Sequence, residues 1–354
     1  MKFNKIFKIG LIIISIILLI LIVYVLFMII TDYKPKSEVN IVNENNQSNK
    51  INKNEEISLT TFNTGYCGTD KDVDFFMDGG TMSRAISKER VNENVNGIIN
   101  IMDKLNSDIY FLQEVDKSAT RSFKVNQYEA YQNKFKEYGC MFAINYKVPW
   151  VPVPLSKPHG KVLAGITTMS KYNVANTVRY DLPGKENFIH QLADLDRCMM
   201  VSRISVEDER ELVLINAHLS AYDKGGKIRV QQLGFVKEFL NKEYKKGNYV
   251  ILGGDFNQQL PGTDYNLFKT TQEKPGWLQD IPKDFNLKGF NWAVDKEVPT
   301  CRTLDISYKE GENLLSVIDG FLVSDNIEIS KVKGSNFNFK YTDHNPVTIR
   351  FKLK

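Results

Sequence analysis

The chain has 354 residues, of which 42% are hydrophobic and 25% are charged, which is typical of a globular protein with one large domain or two modest ones. Its net charge of +4 comes from residues 1–36, where five lysines and one aspartate lie, so the rest of the chain is close to neutral. A domain that binds a polyphosphate backbone usually carries an excess of basic residues, so the near-neutral charge of residues 37–354 argues against tight nucleic-acid binding.

The chain begins with a basic segment, residues 1–8, which carries Lys2, Lys5 and Lys8. Residues 9–30 are uncharged and long enough to cross a hydrocarbon core of ~30 Å as a helix. The run ends without a small-residue cleavage site, which favours a retained transmembrane signal anchor over the alternative, a cleaved signal peptide. The lysines before the span predict a single-pass protein of the cell membrane, with a cytoplasmic N-terminus and an extracytoplasmic domain.

Residues 31–56 are rich in asparagine and charge and poor in apolar side chains, which predicts a flexible polar linker. A random coil over 37–56 spans roughly 25 Å and holds the folded domain close to the membrane. That domain is predicted to occupy residues 57–354 without an internal repeat or a second linker.

Apolar strands and amphipathic helices follow one another along the domain. Strands are predicted at 57–62, 108–113, 165–170, 198–206, 212–218, 249–256, 316–324 and at the end of the chain. Helices are predicted at 88–105 and at about 227–245, because apolar residues recur on one helical face. Many strands, few helices and no strict βαβ alternation predict mixed sheets packed on each other with helices outside.

The four cysteines, Cys67, Cys140, Cys198 and Cys301, are widely spaced, and none belongs to a C-x-x-C pair that would indicate a zinc site. An extracytoplasmic domain permits disulfides, but the spacing selects no pairing. Buried free thiols are therefore the prediction.

Polar residues stand at the ends of several apolar strands, where strands normally avoid them. They are Asn63, Glu114, His218, Asp255 and Asn257, with Asp319 inside an apolar run and Asp343 and His344 before the last strand. Each alone is typical of a turn, but the set includes two of the four histidines, whereas His159 and His190 lie in loops without this context. Oxygen ligands without cysteine predict Mg²⁺, with Mn²⁺ as the alternative, and leave histidines and carboxylates for acid–base chemistry.

Asp343 and His344 are adjacent, yet neighbouring side chains on an extended backbone point to opposite faces. Asp343 is therefore not expected to orient His344. The carboxylate partner of this histidine is expected to come from another strand.

The motifs "FNTG", "LQEVD", "NAHLS", "GGDFN", "VIDGFLV" and "TDHNPV" occur in an order that resembles the endonuclease/exonuclease/phosphatase superfamily. That superfamily includes DNase I-like nucleases, magnesium-dependent sphingomyelinases and inositol polyphosphate 5-phosphatases. The resemblance covers residues 57–354. It implies an α/β fold, a four-layer α/β/β/α sandwich of two mixed sheets, and metal-dependent attack of water on a phosphate ester.

The same resemblance implies a role for each motif residue. Glu114 resembles the principal metal ligand, and Asn63 resembles its neighbour at the metal or the phosphate. Asp255 resembles the acid that activates water or protonates the leaving group. Asn257 resembles the amide that orients the phosphate or the nucleophile.

The histidines and the remaining acids complete the catalytic set that the resemblance implies. His218 and His344 resemble the imidazole pair that contacts the phosphate and moves protons. Asp343 resembles the acid beside the metal and its water, and Asp319 resembles the carboxylate that supports His344. A histidine at 218 fits the DNase I, sphingomyelinase and phosphatase branches better than the exonuclease III branch, which usually carries tyrosine there.

Residues 68–84, "GTDKDVDFFMDGGTMSR", follow the first motif and are rich in glycine and aspartate. Their position suggests a loop over the site from which Asp78 or Arg84 reaches the phosphate. An ordinary surface loop is the alternative.

The expected function is that of a membrane-anchored, Mg²⁺-dependent hydrolase of a phosphodiester or phosphomonoester. The expected substrate is a lipid headgroup, a small molecule or a nucleic acid, and no protein partner is predicted. The alternatives are an extracytoplasmic DNase I-like nuclease and a non-catalytic surface binding module. A basic ridge beside the site favours the nuclease, whereas a neutral site with an aromatic or apolar rim favours a lipid substrate.

Overall fold

The structure of the chain is a computed structural model that describes the backbone of residues 2–354 and the side chains of residues 5–223 and 225–354. The helices are α1 (Lys2–Thr31), α2 (Lys88–Leu105), α3 (Gln127–Lys134), α4 (Phe188–Gln191) and α5 (Lys227–Lys245). Short 3₁₀ turns lie at Gly65–Cys67, Phe76–Asp78, Lys224–Gly226 and Tyr265–Leu267.

The strands that the structure describes follow in chain order. They are β1 (Glu38–Asn40), β2 (Ile57–Asn63), β3 (Ile109–Asp116), β4 (Gly139–Val151), β5 (Gly160–Ser170), β6 (Asn176–Asp181), β7 (Cys198–Ser205), β8 (Glu211–His218), β9 (Tyr249–Asp255), β10 (Gln258–Gln259), β11 (Gln279–Asp280), β12 (Phe290–Ala293), β13 (Cys301–Arg302), β14 (Leu315–Ser316), β15 (Asp319–Ser324), β16 (Ile327–Gly334) and β17 (Val347–Leu353).

Two mixed sheets face each other. One has the strand order β1-β6-β7-β8-β9-β15-β12, and the other has the order β16-β17-β2-β3-β5-β4. Their inner faces share one apolar core that includes Phe111 and Ile166 from one sheet and Leu214, Ile251 and Phe321 from the other. Side chains alternate along each strand, so one face of each sheet fills this core and the other face is free to pack against helices.

The helices cover the outer faces. Ile98 of α2 packs in a cluster with Leu112 on the outer face of the second sheet, and Val236 of α5 packs with Leu252 on the outer face of the first. The order of layers is therefore helix, sheet, sheet, helix, and the predicted four-layer α/β/β/α sandwich is confirmed.

Helix α2 has the ends that its sequence predicts. Ser87 precedes it and accepts a hydrogen bond from the backbone N–H of Arg90, which is a typical N-cap. Asn106 follows it in the left-handed conformation, which closes the last turn.

Helix α1 contains the segment Lys5–Thr31, which is long and apolar enough to cross a membrane. Its apolar side chains are largely exposed, as Ile12 and Leu19 illustrate. Length and composition suit a membrane anchor and a signal sequence alike.

The segment 31–56 is not a free linker. Strand β1 pairs with β6, Glu44 forms a bridge with the edge strand β4, and Ile51 is fully buried in the core between the sheets. Asn46 donates from Nδ2 to the carbonyl of Val174 at 3.1 Å. The prediction of a flexible linker is therefore wrong, because the few apolar residues are buried and the asparagines bond to the backbone of the domain.

The cysteines are free thiols in the described part of the chain, and all four are buried. Burial raises the pKa of Cys67 and Cys140 to about 12, so these thiols stay protonated and unreactive at neutral pH. The prediction of buried free thiols is confirmed.

Candidate active site

The site lies at the edge where strands of both sheets end together. Strands β8 and β9 run parallel and finish at the paired residues His218 and Asp255. Strand β15 runs antiparallel to β9 and starts at Asp319, directly opposite Asp255. In the other sheet, β2 and β3 run parallel, which brings Asn63 and Glu114 to the same edge. Strand order thus gathers polar residues from distant parts of the chain.

Glu114 is presented by a bulge in β3. The pairing of β3 with β5 shifts between Leu112 and Val115, and Glu114 has a φ of 55°. A side-chain-bearing residue rarely adopts this left-handed conformation, and a bulge re-aims the side chain that it carries. Within the described residues, the one hydrogen-bond partner of the Glu114 carboxylate is Asn63 Nδ2 at 3.3 Å.

The carboxylate of Glu114 lies among other acids. Burial raises its pKa, and the negative charge of Asp343 raises it further. Arg121 opposes this effect, but its guanidinium binds both oxygens of Asp116 at 2.9 and 3.2 Å. Glu114 therefore lacks a cation of its own, and a hard metal ion bound by oxygen atoms fits this environment.

Asn63 joins the two sheets. Its Nδ2 donates to Asp255 Oδ2 at 3.0 Å as well as to Glu114, and its Oδ1 accepts from the backbone N–H of Gly65 at 3.0 Å. The amide nitrogen faces the acids, whereas the oxygen faces the backbone. Metal binding by the Asn63 oxygen stays a prediction, and it requires this amide to turn over.

Gly65 allows the next loop to close on the site. Its φ is 50°, and a Cβ there would lie 1.9 Å from Thr69 Oγ1 and 2.7 Å from Asp343 Oδ1. Thr69 Oγ1 donates to Asp343 Oδ1 at 2.5 Å. Thr69 lies outside the recognised motifs, and only the fold shows that it holds Asp343.

His344 takes its carboxylate partner from another strand. Its Nδ1 lies 2.8 Å from Asp319 Oδ2, whereas Asp343 Oδ2 stays 3.9 Å from Nε2, beyond hydrogen-bond distance. The prediction that Asp319 rather than Asp343 orients His344 is confirmed. Burial lowers the pKa of His344, but neighbours that include Cys301 and Asp319 outweigh it, so the pKa lies well above its ordinary value.

Asp255 lies between the two histidines. Its Oδ2 is 3.4 Å from His218 Nε2 and 3.8 Å from His344 Nε2, and its Oδ1 accepts from the backbone N–H of Asn257 at 2.8 Å. Burial raises the pKa of Asp255 to about 7, and the charge of Asp319 adds to this effect. A carboxyl group that titrates near neutrality suits proton transfer.

Asn257 is fixed by the turn after β9. It has a φ of 50°, its Nδ2 donates to the carbonyl of Leu219 at 2.9 Å, and its own carbonyl accepts from the buried Arg229. The amide nitrogen is therefore used within the turn. A role for Asn257 in orienting phosphate stays a prediction.

His218 is 2% exposed, and its Nδ1 has no hydrogen-bond partner among the described residues. Burial lowers its pKa well below the ordinary value, and the charges of Arg197 and His344 lower it further, so the ring is neutral. A buried polar atom without a partner costs about 1–3 kcal/mol. Buried ring nitrogens are normally hydrogen-bonded, so Nδ1 of His218 is available to a water or to a ligand atom.

Arg197 belongs to none of the sequence motifs. It precedes β7, whose Met199 pairs with Ala217 of β8, and this register brings Arg197 beside His218. Its Nη1 is buried and, within the described chain, has no hydrogen-bond partner. Nη1 of Arg197 and Nδ1 of His218 are thus buried polar atoms whose hydrogen-bonding capacity the described residues do not use.

The loop 68–84 forms one wall of the site and is held in place by hydrogen bonds from Arg302. The fully buried Arg302 donates from Nη2 to the carbonyls of Thr69, Asp70 and Val73 at 2.8–3.3 Å. Arg84 points away from the site, since its Nε donates to the carbonyl of Pro158 at 2.5 Å. Asp78 lines a cavity beside the site.

A cavity of about 310 Å³ lies beside the site. Tyr222 lines this cavity and is 43% exposed. Desolvation and then the negative charges of Asp78, Glu114 and Asp343 raise the pKa of its hydroxyl, so Tyr222 lies between the cavity and the acids of the site. The described lining includes Trp277 and the acids Asp78, Glu273 and Asp305, but no lysine or arginine. On the side of this cavity, the described rim is therefore aromatic and acidic rather than basic.

The other two histidines lie apart from the site. His159 is buried with Nδ1 2.8 Å from the carbonyl of Ser83, and burial lowers its pKa to about 3, so it is a neutral structural group. His190 lies on α4 and is exposed.

Comparisons with known proteins agree with this geometry. A family model described as "Endonuclease/Exonuclease/phosphatase family" matches residues 61–332. An endonuclease/exonuclease/phosphatase from Beutenbergia cavernae is 16% identical with a TM-score of 0.59, over 84% of this chain and 72% of that chain. The human Nocturnin catalytic domain, solved with bound sulfate, is 14% identical with a TM-score of 0.52, over 89% of this chain and 96% of that chain.

ANGEL2, described as a 2′,3′-cyclic phosphatase, is 14% identical with a TM-score of 0.53, over 89% of this chain and 98% of that chain. No curated protein matches the sequence. At these identities, the likeness to solved structures shows the fold.

Proposed function

The chain belongs to the endonuclease/exonuclease/phosphatase family, and we propose that it is a membrane-anchored hydrolase that uses a divalent metal to cleave phosphate esters. The observation that carries this proposal is the half-buried carboxylate of Glu114, which has no cation of its own and stands beside Asp255, His218 and the His344–Asp319 pair.

Glu114 is the proposed ligand of Mg²⁺ or Mn²⁺, with Asn63 and Asp343 beside it. Carboxylate and amide oxygens suit these hard cations, and no cysteine thiolate competes, since burial keeps Cys301 protonated. When bound, the cation supplies positive charge that stabilises the charge developing on the phosphoryl group.

The other side chains of the site are proposed to transfer protons and to bind the phosphoryl group. Asp255, with its raised pKa, accepts the proton of the attacking water. His344, held by Asp319, places positive charge and a proton on Nε2 towards the phosphoryl group. His218 and Arg197 are proposed to bind a phosphoryl oxygen through their unpartnered atoms.

The rim supports a substrate with a single phosphate on an organic group, such as a lipid headgroup. A polyanion such as DNA would meet Asp78, Glu273 and Asp305 without a lysine or arginine in the described lining of the cavity. The aromatic rings of Tyr222 and Trp277 instead offer contact with an organic group. The rim therefore argues against the nuclease alternative.

A substrate panel tests the proposed reaction. Full-length protein in detergent micelles is treated with EDTA, dialysed, and assayed with and without Mg²⁺ on an aryl phosphodiester, plasmid DNA and phospholipid or sphingomyelin micelles. We expect Mg²⁺ to restore turnover of the aryl ester and of at least one lipid, and turnover of DNA to be far slower. Faster cleavage of DNA would establish the nuclease instead. No turnover of any substrate by folded, metal-loaded protein would favour a binding module.

The location is also proposed. The lysines in the first turns of α1, Lys2, Lys5 and Lys8, support an N-terminus in the cytoplasm and a catalytic domain outside the cell membrane. Protease added to intact cells is expected to degrade the domain, while a cytoplasmic marker protein stays intact. Full protection of the domain until the cells are lysed would contradict this orientation.

A further inference from the structure

Five exposed apolar side chains lie on one hairpin of the domain and on the short helix α4. The hairpin of β4 and β5 carries Trp150, Val153 and Leu155 at its tip, with exposed fractions of 40%, 46% and 86%. Helix α4 adds Phe188 and Ile189, which are 60% and 58% exposed. We call these five residues the apolar tip. Exposed apolar patches of this kind mark binding surfaces for proteins, membranes or ligands.

The two parts of the apolar tip lie together. The segment after α4 returns to the hairpin, where Ala193 and Leu195 pack on a cluster that contains Val148 and Val151. The hydroxyl of Tyr146 donates to the carbonyl of Ala193 at 3.1 Å. Helix α4 is therefore anchored beside the hairpin by contacts two residues away from its own end.

The hairpin projects beyond the rest of its sheet. Strand β4 is 13 residues long, against about 5–6 for an ordinary strand. The pairing of β3 with β5 ends at Asp116 and Ala164, whereas β4 and β5 continue to pair as far as Val151 and Gly160. Residues 117–120, which follow β3, stay hydrogen-bonded to Lys161 and Leu163 of β5, so the part of the hairpin that extends beyond them is the turn after Val151.

Helix α1 lies along the same hairpin. The hydroxyl of Tyr24 donates to the carbonyl of Trp150 at 3.0 Å, and Lys147 Nζ lies 5.1 Å from the centroid of the Tyr33 ring. A helix rises about 1.5 Å per residue, so Tyr24 lies roughly 10 Å along the axis from Thr31. A membrane-spanning α1 that leaves the bilayer near Thr31 places Tyr24, and with it Trp150, roughly 10 Å inside the membrane. Segments that bind at the membrane interface commonly insert to this depth.

The composition of the tip suits a lipid environment. Residues 149–155 read "PWVPVPL" and carry no charge, and their three prolines have no backbone N–H to leave unpaired. Lys147, Lys157 and Lys161 flank the tip and are exposed. Lysines at such positions extend their amines towards the headgroups while their stems stay in apolar surroundings.

We propose that the apolar tip inserts into the membrane leaflet from which α1 emerges, so that the lipid bilayer is the partner of this surface. This inference rests on the proposed anchoring by α1 but not on the proposed hydrolysis. The bilayer is favoured over a protein partner because the apolar surface is continuous with a helix that is itself fit to span a membrane.

Insertion of the tip also positions the site. The loop 68–84 is bonded to the hairpin, since Ser83 Oγ donates to the carbonyl of Lys157 and the carbonyl of Ser83 contacts His159 Nδ1. The hairpin and the wall of the site are therefore joined by direct hydrogen bonds. A tip fixed in the leaflet holds the opening of the site at the level of the headgroups.

The test is a depth measurement that needs no enzymatic activity. Full-length protein with Leu155→Cys carries the environment-sensitive dye NBD and is reconstituted into phosphatidylcholine–phosphatidylglycerol vesicles with or without nitroxide-labelled lipid. Lys331→Cys is the matched control, since it is exposed on β16, at the edge of the sheet opposite β4. Leu19→Cys on α1 reports insertion of the anchor. The four native thiols are buried, and unmutated protein measures their background labelling.

We expect the dye at position 155 to emit at shorter wavelength and to lose about half of its emission to nitroxides near the headgroups, while the dye at 331 is unaffected. Quenching at 19 without any at 155 would overturn the proposal and leave the anchor standing. Water-like emission at both positions would overturn the anchor and the proposal together. Neither result depends on turnover, so failure of this proposal is distinguishable from failure of the proposed hydrolysis.

Discussion

Glu114→Gln is expected to lower metal-dependent turnover by about a thousandfold. The proposed cation loses the carboxylate assigned as its principal ligand, and a loss of several kcal/mol of transition-state stabilisation corresponds to a factor of this size. The measurement is the turnover number on the best substrate of the panel, at saturating and at limiting Mg²⁺.

Glu114→Gln is also expected to leave the melting temperature unchanged or higher. Glutamine has nearly the same shape and removes a half-buried charge that has no cation of its own, so the folded state loses no stabilising ion pair. Glu328→Gln is the matched control, because Glu328 is exposed on β16. Turnover equal to the parent would show that Glu114 does not bind the metal. Loss of turnover together with a lower melting temperature would show a structural role.

Asp319→Asn is expected to lower kcat by about 10³- to 10⁴-fold with little change in KM, which is the size of effect seen when the acid that orients a catalytic histidine is neutralised. Asp319 touches the histidine and not the substrate, so it is a positioning residue. With an amide at 319, the hydrogen bond to Nδ1 no longer favours the doubly protonated ring of His344.

The pH profile separates this role from a purely structural one. In the parent, the pKa of His344 is raised well above its ordinary value, in part by Asp319, so the imidazolium persists as pH rises and is lost only above that raised pKa. Removal of the Asp319 charge lowers the pKa of His344. We expect the alkaline limb of the kcat profile to move to lower pH in Asp319→Asn.

Asp284→Asn is the control for Asp319→Asn, since Asp284 is exposed and far along the chain from the motifs. An unmoved alkaline limb with parental kcat would remove Asp319 from the mechanism. A fall in kcat that is matched by a fall in melting temperature, with an unmoved limb, would assign Asp319 to folding alone.

The proposed substrate site and the proposed membrane-binding tip are consistent with each other. The rim of the site is aromatic and acidic, and the apolar tip lies on a hairpin bonded to the wall of that site. A phosphate carried by a lipid would reach such a site without leaving the bilayer surface. The depth measurement and the substrate panel examine these two features independently.

Several parts of the site follow from local sequence patterns. Helices at 88–105 and 227–245 were expected from apolar periodicity, and the structure has them with the same bounds. The strand endings at Glu114, His218 and Asp255 could be recognised because a polar residue after an apolar run is visible without the fold. The exclusion of Asp343 as the partner of His344 also follows from local geometry, since adjacent side chains on an extended backbone diverge.

Other parts depend on residues that are far apart in the chain. Arg197 and Thr69 have no motif, and their places beside His218 and Asp343 result from strand register and from a close approach at Gly65. The orientation of the Asn63 amide is decided by two acids that lie 51 and 192 residues away.

The segment 31–56 is the clearest case of a structure that depends on contacts with distant residues. Its composition indicates a flexible linker, because average polarity does not reveal that Ile51 is buried or that the asparagines find backbone partners on the domain. The sequence by itself determined the apolar length of α1, the two long helices, the polar strand ends and the order of the motifs, since these depend on near neighbours. Tertiary structure alone decided the packing of residues 31–56, the projecting hairpin and the contacts of Arg197, because these depend on which distant strands pair and in what register.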